Sequence, residues 1–479
     1  MQEWPQLIGA HTAALCLNAA GFEAYIIGGA VRDMLLGYTP KDFDLVTDAT
    51  PDQVTSIPDF KRPRYIDTSQ AYGVTRVRVP VSLEAGDSQD VELEIATYRR
   101  DVAAHLGRTR TKVEFAHLED DVQRRDFTVN ALALDPATYQ LIDIIDGLSD
   151  LEHRLLRFIG EPATRIQEDP LRVLRAIRLK NQLAFDYEEA TYEALEQAIG
   201  RQALDDIAPD RIRFELTYML AHKRRLSALG DLDGLGALEA LLPEVTAQKG
   251  VSQPETIHAE GDVWQHCLLT MQYLPNIISP RLAWAALLHD VGKVTTARSA
   301  EDTGDRIRFD RHYEAGAEIA RQVLRRIGFG KRFRNEVAWM VRHHLAIDDL
   351  PRMRPGRAKH MMSHPAFADL LQLHKADAHA AWSTDASGAV DTGPADFSQL
   401  EQMWAEFQRE QHQHPPSLKH DLGIDGNWLL QNFGLSRGPH IGEVLNVLEE
   451  KYLDDEITTP EDAQAAVRDY LRSGQGDNG

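Results

Sequence analysis

Residues 25–37 read YIIGGAVRDMLLG and residues 41–47 read KDFDLVT, and these two runs decide the fold of the first part of the chain. The pattern predicts a strand, a glycine turn and an amphipathic helix, followed closely by a second strand. Gly28 and Gly29 let the backbone approach an anion at the N-terminus of the helix, and Arg32 follows one turn later. The order of these elements indicates a phosphate-binding site.

Two acidic residues on the second predicted strand indicate metal binding. Side chains alternate along a strand, so Asp42 and Asp44 project to the same face and can share Mg²⁺ ions. Two such ions activate a 3′-hydroxyl group and stabilise a leaving pyrophosphate. A double glycine or a DxD pattern alone is common, whereas the two in this order are specific. Glu94 offers a third carboxylate, but a solvated strand face explains it equally well, so it is left out of the predicted ligands.

The size and charge of the chain limit the classes of protein that it can belong to. Its 479 residues predict about three domains at roughly 150 residues each. The formal net charge of −22 argues against indiscriminate coating of nucleic acid, although arginines cluster locally. Because no run of about 18 apolar residues occurs, we expect a cytoplasmic protein without membrane contact. Cys16 and Cys267 have no CxxC partner and are predicted to be buried thiols.

The secondary-structure pattern changes along the chain and divides it into four predicted domains. Residues 1–160 mix short β-like runs with helical stretches and predict an α/β head with a mixed sheet. Residues 161–250 have helical spacing throughout and predict an all-α neck and body. A Pro- and Gly-containing stretch then leads into a histidine-rich, all-α domain at residues 251–385. Residues 386–479 are predicted to be an acidic helical tail.

Two further motifs follow the glycine turn and the DxD strand in order. They are RRDFTVNALAL at residues 124–134 and EDPLRVLRAIR at residues 168–178. With these motifs, the chain resembles the class II tRNA nucleotidyltransferases, which comprise the CCA-adding enzymes and their bacterial poly(A) polymerase relatives. The resemblance covers residues 20–225. It implies a nucleotidyltransferase head followed by an all-α neck and body, with tRNA, CTP and ATP as partners.

The resemblance also implies roles for individual residues. Asp42 and Asp44 would be the catalytic residues and hold Mg²⁺. An Asp acceptor and an Arg donor three residues apart on one helical face, as predicted for Asp169 and Arg172, can read the base edges of cytosine and adenine without a template. A surface ion pair between the two is the alternative. The predicted nucleotide-binding residues are Gly28, Gly29, Arg32, Arg125, Asp126, Asp169, Arg172 and Arg175.

The segment before the second motif bears on the product. Residues 98–127 are close to full length for the family's mobile loop and carry its basic residues, such as Arg108 and Arg110. Members restricted to adding CC typically lack part of this loop, so the resemblance favours addition of CCA. Addition of A alone and poly(A) synthesis stay open, because all these activities share the motifs.

Histidine recurs on successive predicted helices from residue 258 onward. Imidazole and carboxylate groups together suit divalent transition metals such as Mn, Fe, Ni or Co, and such centres hydrolyse phosphate esters. A single histidine would more often be a core residue, but the series, with LLHDVGK at residues 287–293, resembles the HD superfamily of metal-dependent phosphohydrolases. His343 is an alternative to its neighbour His344, and Lys293 is either a phosphate contact or a surface lysine. The ligands that the resemblance implies are His266, His289, Asp290 and Asp377, with His312 and His344 for a second metal.

These patterns predict template-independent addition of CCA to tRNA 3′ ends together with an HD phosphohydrolase. HD domains fused to CCA-adding enzymes are associated with phosphatase and 2′,3′-cyclic phosphodiesterase activities. Two alternatives of a different class remain at this stage. One is an HD phosphohydrolase whose head only binds RNA, and the other is an RNA chaperone without catalysis, which would not require the metal carboxylates.

Overall fold

The computed structural model describes most of the chain, in two compact units. One unit comprises Met1–Met219 and Ser227–Leu241, and the other comprises Leu220–Leu226 and Leu242–Gly479. No helix in the described part of the chain is long and apolar enough to cross a bilayer. The described residues are 4–60, 73–82, 88–102, 112–254, 256–304, 306–384, 390–391, 396–413, 417–436, 438–454 and 456–472.

The first unit is built on a mixed six-stranded sheet, as the sequence predicts, with the strand order β3-β4-β2-β1-β7-β8. The β2–β4 pair is parallel and the other neighbours are antiparallel. Its strands are β1 (Ala24–Ile27), β2 (Asp44–Thr47), β3 (Val74–Ser82), β4 (Ser88–Thr97), β7 (Ala133–Leu134) and β8 (Leu141–Ile142); β5 (Arg99–Val102) pairs with β6 (Lys112–Phe115), and β9 (Leu155–Leu156) pairs with β10 (Asp186–Tyr187).

Alternating valines explain how the sheet buries one face. Val77, Val79 and Val81 on β3 are buried, and intervening residues point away from the core. Helix α1 (Pro5–Ala19) packs on β1 to β4, and a Cβ atom at Gly9 would lie 3.0 Å from Val91, so glycine permits the close approach. The other helices of this part are α2 (Gly29–Leu35), α3 (Pro51–Thr55), α4 (Leu118–Gln123), α5 (Gly147–Glu152), α6 (Pro162–Glu168), α7 (Leu171–Leu183), α8 (Glu189–Gly200), α9 (Pro209–Ala221), α10 (Arg225–Gly234) and α11 (Ala237–Leu241).

The second unit is mostly helical, as predicted, with two short ladders formed by β11 (Ala297–Arg298) with β12 (Arg308–Phe309) and β13 (Ser383–Thr384) with β14 (Val390–Asp391). Helices α13 (Val263–Tyr273), α14 (Pro280–Leu288), α18 (Lys331–His343) and α20 (Phe367–Ala380) pack on one another. The helices are α12 (Pro243–Thr246), α13 (Val263–Tyr273), α14 (Pro280–Leu288), α15 (Lys293–Thr296), α16 (Ala300–Thr303), α17 (His312–Arg326), α18 (Lys331–His343), α19 (Pro355–Ser363), α20 (Phe367–Ala380), α21 (Ser398–Gln413), α22 (Leu418–Leu422), α23 (Gly426–Phe433), α24 (Pro439–Leu453) and α25 (Pro460–Arg472).

The acidic C-terminal region has a core of its own. Leu429, Val444, Leu448 and Val467 are buried in one hydrophobic cluster formed by the last four helices. Over residues 417–436, 438–454 and 456–472 the predicted tail is therefore a packed helical region, because its apolar residues recur at helical spacing between the acids.

Candidate functional site

The glycine turn lies between β1 and α2, where the sequence predicts it. Gly28 has φ of +87°, which favours glycine, and a Cβ atom there would lie 3.6 Å from Nη1 of Arg125. Arg32 is buried, and its Nε donates to Oδ1 of Asp33 at 2.8 Å while its Nη1 donates to Asn130. The guanidinium of Arg32 thus lies next to Gly29, and the guanidinium of Arg125 lies next to Gly28.

The two predicted metal ligands lie at the start of β2. Asp42 and Asp44 are exposed and Phe43 between them is buried, so the two carboxylates share one side of the strand. Desolvation by the surrounding chain and repulsion from Glu94 and Asp42 raise the pKa of Asp44, whereas Arg125 lowers it. The net pKa of Asp44 is raised, so a cation beside this carboxylate would stabilise its charged form.

Glu94 lies opposite Asp44 in the parallel β2–β4 register. Its Oε1 accepts from Nε of Arg76 at 2.7 Å, on an exposed pair of side chains. Among the described residues, groups of three ligand atoms within 4.8 Å of one another occur only in the second unit. The described residues of the head therefore present a pair of carboxylates and no closed ligand cage.

A buried aspartate orients the arginines of the second motif. The fully buried Asp121 accepts from Nη2 of Arg124 at 2.6 Å and from Nη2 of Arg125 at 3.0 Å. Sequence reasoning missed Asp121, although its spacing of three and four residues from the arginines is the signal for such pairs on a helix.

Asp126 joins the second motif to α7, because its Oδ2 lies 2.6 Å from Nη2 of Arg175. Burial opposes ionisation of Asp126, but Arg175, Asn130 and the amide of Phe127 outweigh it and lower its pKa. Asp126 and Arg175, both predicted nucleotide contacts, are thus paired with each other in this structure.

The third motif does not lie on the single helix that the prediction for Asp169 and Arg172 requires. Asp169 has φ of −148° and lies in the break between α6 and α7, so its placement on the same helix as Arg172 is wrong. The reason is Pro170, which disfavours helical backbone at the preceding residue. Asp169 forms a bidentate pair with Arg211 on α9, at 3.0 and 2.8 Å, so the alternative of an ion pair with Arg172 is also wrong.

Arg172 stays next to the nucleotidyl-transfer motifs through other contacts. Its Nη1 donates to Oε2 of Glu168 at 2.8 Å, and its Nη2 donates to the carbonyl of Arg124 at 3.1 Å. Arg211 and Glu168 are the two partners that sequence reasoning missed. Glu168 precedes Arg172 by four residues, which is the spacing that signals such a pair, whereas Arg211 lies on α9 and has no distinctive spacing to the motif. The loop residues Arg108 and Arg110 lie outside the described residues.

The second unit brings all six predicted HD residues into one centre. Nε2 of His266 lies 2.8 Å from Oδ1 of Asp377, and Nε2 of His289 lies 3.3 Å from Oδ2 of Asp290. The second carboxylate oxygen of Asp290 lies 3.4 Å from Nε2 of His312 and 3.7 Å from Nε2 of His344. Two groups of three ligands result, His266 with His289 and Asp377, and Asp290 with His312 and His344.

The donor atoms of this centre are those that a divalent metal needs. His289, His312 and His344 each donate from Nδ1 to a backbone carbonyl three residues earlier, so each presents Nε2 to the centre. Nε2 of His289, Nε2 of His312 and Oδ1 of Asp290 are buried without a hydrogen-bond partner. Such atoms are costly to bury unless a ligand satisfies them, so the residues fit a metal.

The charges of the centre support the same conclusion. Burial disfavours the protonated form of His289, but the carboxylates of Asp290 and Asp377 outweigh this and raise its pKa to about 10. The pKa of Asp377 lies well below its usual value, because the bond from His266 and the nearby charge of His289 outweigh its burial. Cationic charge is therefore strongly favoured between these groups, whether protons or a metal supply it.

The structure distinguishes the two adjacent histidines. His344 is 1% exposed and faces Asp290. His343 donates from Nδ1 to the carbonyl of Trp339 and lines a separate cavity with His360. Lys293 is not a surface lysine, since it is buried with Nζ 2.7 Å from Oδ2 of Asp290.

A cavity of about 930 Å³ opens beside the centre. Its wall includes Lys293, Arg306, Phe309 and Arg352, and Phe397 from the predicted acidic tail also lines it. Its lining is therefore polar and aromatic, and it carries aspartates such as Asp310, Asp348 and Asp396 as well as cations.

Family models match four stretches of the chain. The "Poly A polymerase head domain" matches residues 24–157 and the "HD domain" matches residues 263–368. The "Probable RNA and SrmB-binding site of polymerase A" matches residues 184–249, and a model of tRNA nucleotidyltransferase domain 2 matches residues 375–467.

Similar proteins cover almost the whole chain. The A-adding tRNA nucleotidyltransferase of Deinococcus radiodurans is 31% identical over 95% of this chain and 96% of its own length. The CCA-adding enzyme of Latilactobacillus sakei is 30% identical over 93% and 94%, and the poly(A) polymerase I of Salmonella typhi is 28% identical over 85% and 84%. The crystal structure of the Bacillus stearothermophilus CCA-adding enzyme in complex with CTP shares the fold, with a TM-score of 0.63 at 22% identity, over 99% of this chain and 100% of that one.

The fold and both sites define a nucleotidyltransferase with an HD domain. The chain belongs to the family of tRNA nucleotidyltransferases and bacterial poly(A) polymerases. Both kinds of domain imply the use of divalent metal ions.

Proposed function

We propose that this protein adds CMP and AMP, from CTP and ATP, to the 3′ ends of tRNA without a template. The observation that carries the proposal is the convergence of Gly28, Arg125 and Asp44 at one edge of the sheet. Asp44 pairs with Ile27, the residue before the glycine turn, and Arg125 lowers the pKa of Asp44, which supports a role for Arg125 in binding the triphosphate beside the carboxylates. Mg²⁺ fits the all-oxygen donors of Asp42 and Asp44, and when bound it would stabilise charge on the reacting phosphate and the leaving pyrophosphate.

Nucleotide selection is assigned to Asp169 and Arg172. Arg211 fixes the carboxylate of Asp169, and Glu168 with the Arg124 carbonyl fixes the guanidinium of Arg172. Side chains held in this way present an acceptor and donors in a constant arrangement, which supports the reading of base edges by hydrogen bonds. Arg32, Asp126 and Arg175 are proposed to position the glycine turn and α7 for the nucleotide.

The proposed product is CCA, and addition of A alone is a second candidate. The second candidate is favoured by the likeness to the A-adding enzyme of Deinococcus radiodurans. The deciding experiment incubates the protein with tRNA transcripts that end before CCA or end in CC, with CTP and ATP given separately. Extension of the first transcript by CTP together with extension of the CC-ended transcript by ATP supports CCA addition. Extension of only the CC-ended transcript, by ATP, supports A addition, and long adenylate tails support poly(A) synthesis.

For the second unit we propose a phosphohydrolase that uses Mn, Fe, Ni or Co and acts on phosphate groups at nucleotide or RNA ends. The mixed nitrogen and oxygen donors support this choice of metals. Lys293 and Arg306 line the cavity and supply positive charge for a phosphate ester. Hydrolysis of a nucleoside 2′,3′-cyclic phosphate in Mn²⁺, but not after removal of metal by EDTA, would support the proposal. No release under either condition would contradict it.

The four domains that the sequence predicts, 1–160, 161–250, 251–385 and 386–479, are proposed as the limits of these functions. Limited proteolysis followed by mass spectrometry would locate cleavage sites. A cut close to residue 250, where Lys249 and Gly250 are exposed, is expected before any cut close to residue 160, where Phe158 and Ile159 are buried inside a compact unit. Cuts spread evenly through these ranges would contradict the division.

A further inference from the structure

Glu260 is a buried carboxylate beside the HD centre that belongs to none of the predicted ligand sets. Its side chain is fully buried. Oε1 accepts from Nδ1 of His258 at 2.7 Å and from Nδ1 of His266 at 2.8 Å, and Oε2 accepts from the backbone amide of Trp382 at 2.9 Å. All of its visible partners are donors, so Glu260 acts as an acceptor on both oxygens.

His266 differs from the other histidines of the centre in what holds its Nδ1. His289, His312 and His344 use neutral backbone carbonyls, whereas His266 uses this carboxylate. A carboxylate withdraws less and donates more charge to the imidazole than a carbonyl does, and it fixes the same tautomer. Nε2 of His266 is therefore directed at Asp377, 2.8 Å away, and at Asp290, 3.7 Å away.

Glu260 also connects the two stretches of chain that flank the centre. The amide of Ala259 donates to the carbonyl of Trp382 at 2.7 Å, and the amide of Thr384 donates to the carbonyl of Thr256 at 3.3 Å. Trp382 follows helix α20, which carries Asp377. Both Glu260 and Asp377 lie outside residues 263–368, the part that the HD family model matches.

We propose that Glu260 is a positioning residue of the HD centre, which holds His266 in the tautomer that presents Nε2 to a divalent metal and joins it to the segment after Asp377. The proposal rests on the proposed function of this centre as a metal site. It assigns Glu260 no direct bond to metal or substrate.

The test compares wild type with Glu260→Gln and with His258→Ala as the matched control. Glutamine keeps the size of the side chain but removes its charge. It also places an NH₂ group, itself a hydrogen-bond donor, next to the donors of His258 and His266 or the amide of Trp382. His258→Ala removes one partner of Glu260 and leaves the bond to His266 in place. Binding of Mn²⁺ is followed by electron paramagnetic resonance, and Co²⁺ is followed by its visible absorption bands, which report the ligand field.

Glu260→Gln is expected to weaken Mn²⁺ binding by about 10- to 100-fold and to shift the Co²⁺ bands, as loss of an outer-shell partner does. His258→Ala is expected to leave both measurements near wild type. Circular dichroism and thermal unfolding in EDTA check the fold, and Glu260→Asp is a second variant that retains charge but is too short for all three bonds. Partial recovery of Mn²⁺ affinity in Glu260→Asp relative to Glu260→Gln would support a role for the charge.

Three results would overturn the proposal. Wild-type Mn²⁺ affinity and unchanged Co²⁺ bands in Glu260→Gln would make Glu260 a purely structural residue. Loss of one whole equivalent of metal would make it a ligand, together with His258 and His266, whose ligand atoms lie within 4.8 Å of its own. Failure of the wild type to bind either ion would contradict the proposed function of the centre, and the proposal for Glu260 with it.

Discussion

The two candidate sites of this chain differ in how far the chain completes them. In the head, Asp42 and Asp44 are exposed, and Arg125, the cationic side chain that acts on Asp44, comes from a separate motif. In the HD centre, His266, His289 and Asp290 are at most 1% exposed. Three potential metal-ligand atoms there, Nε2 of His289, Nε2 of His312 and Oδ1 of Asp290, have no hydrogen-bond partner. The head thus exposes its carboxylates to solvent, whereas the HD centre surrounds its ligand atoms with its own buried residues.

The difference corresponds to the chemistry of the metals that each site fits. Mg²⁺ is usually bound by one or two carboxylates together with substrate phosphates. An exposed pair of aspartates would therefore complete its Mg²⁺ coordination only when the nucleotide binds. A centre of imidazoles and carboxylates with oriented Nδ1 groups can hold a transition metal before any substrate arrives. We therefore expect metal binding to depend on nucleotide in the head and to be independent of it in the HD centre.

The largest effect is expected for Asp44→Ala. Removal of this carboxylate leaves only Asp42 of the pair, and nucleotide addition should fall by about 1000-fold or more, which corresponds to ~4 kcal/mol of barrier. The rate of incorporation into a tRNA transcript ending in CC measures it, with Asp52→Ala on the exposed face of α3 as a control. Incorporation near the wild-type rate would remove Asp44 from the catalytic residues.

A smaller effect should separate His344 from His343. His344→Ala removes a donor that faces Asp290, so Mn²⁺-dependent hydrolysis of a cyclic nucleotide should fall by about 100-fold, or ~2.7 kcal/mol. His343→Ala should leave the rate within about twofold, or ~0.4 kcal/mol, because its ring faces a different cavity. Equal losses in the two variants would show that the adjacent histidines are not distinguished as the structure indicates.

The smallest effect concerns nucleotide choice. Asp169→Ala should reduce the preference for CTP over UTP by about 10- to 100-fold, since a base-edge hydrogen-bond pair discriminates by ~1–3 kcal/mol. Arg211→Ala should reduce it less, because the carboxylate of Asp169 remains but loses its bidentate partner. The ratio of kcat/KM for the two nucleotides measures both variants. Full discrimination in Asp169→Ala would exclude this residue as the base reader.

Local patterns predict much of the fold. Alternation in the segment around Asp44 and in β3, and the glycines before α2, identify strands, turn and helix, because each signal is contained in a few consecutive residues. The break at Asp169 is not predicted, although Pro170 is visible in the sequence, because the apolar residues that follow it recur at helical spacing.

Partners that come from distant stretches could not be predicted in the same way. His266 and Asp377 could be grouped by likeness to a family, but the bonds of Glu260 span 6 residues to His266 and 122 residues to Trp382. No single-residue pattern reveals such a contact, because it depends on how helices pack. The open choice between His343 and His344 was likewise decided by helix orientation, not by residue type.

The central claim is that one chain carries two metal-dependent sites with separate ligands, and the double variant His289→Ala/Asp290→Ala tests it most directly. Both reactions are assayed on the same preparation. The double variant removes Asp290, the ionic partner of the buried Lys293, so a circular dichroism spectrum that matches wild type is needed to show that the fold is kept. We predict loss of Mn²⁺-dependent hydrolysis of a 2′,3′-cyclic phosphate, with nucleotide addition to an undamaged tRNA in Mg²⁺ retained. Loss of both reactions in parallel, despite an unchanged spectrum, would contradict the account.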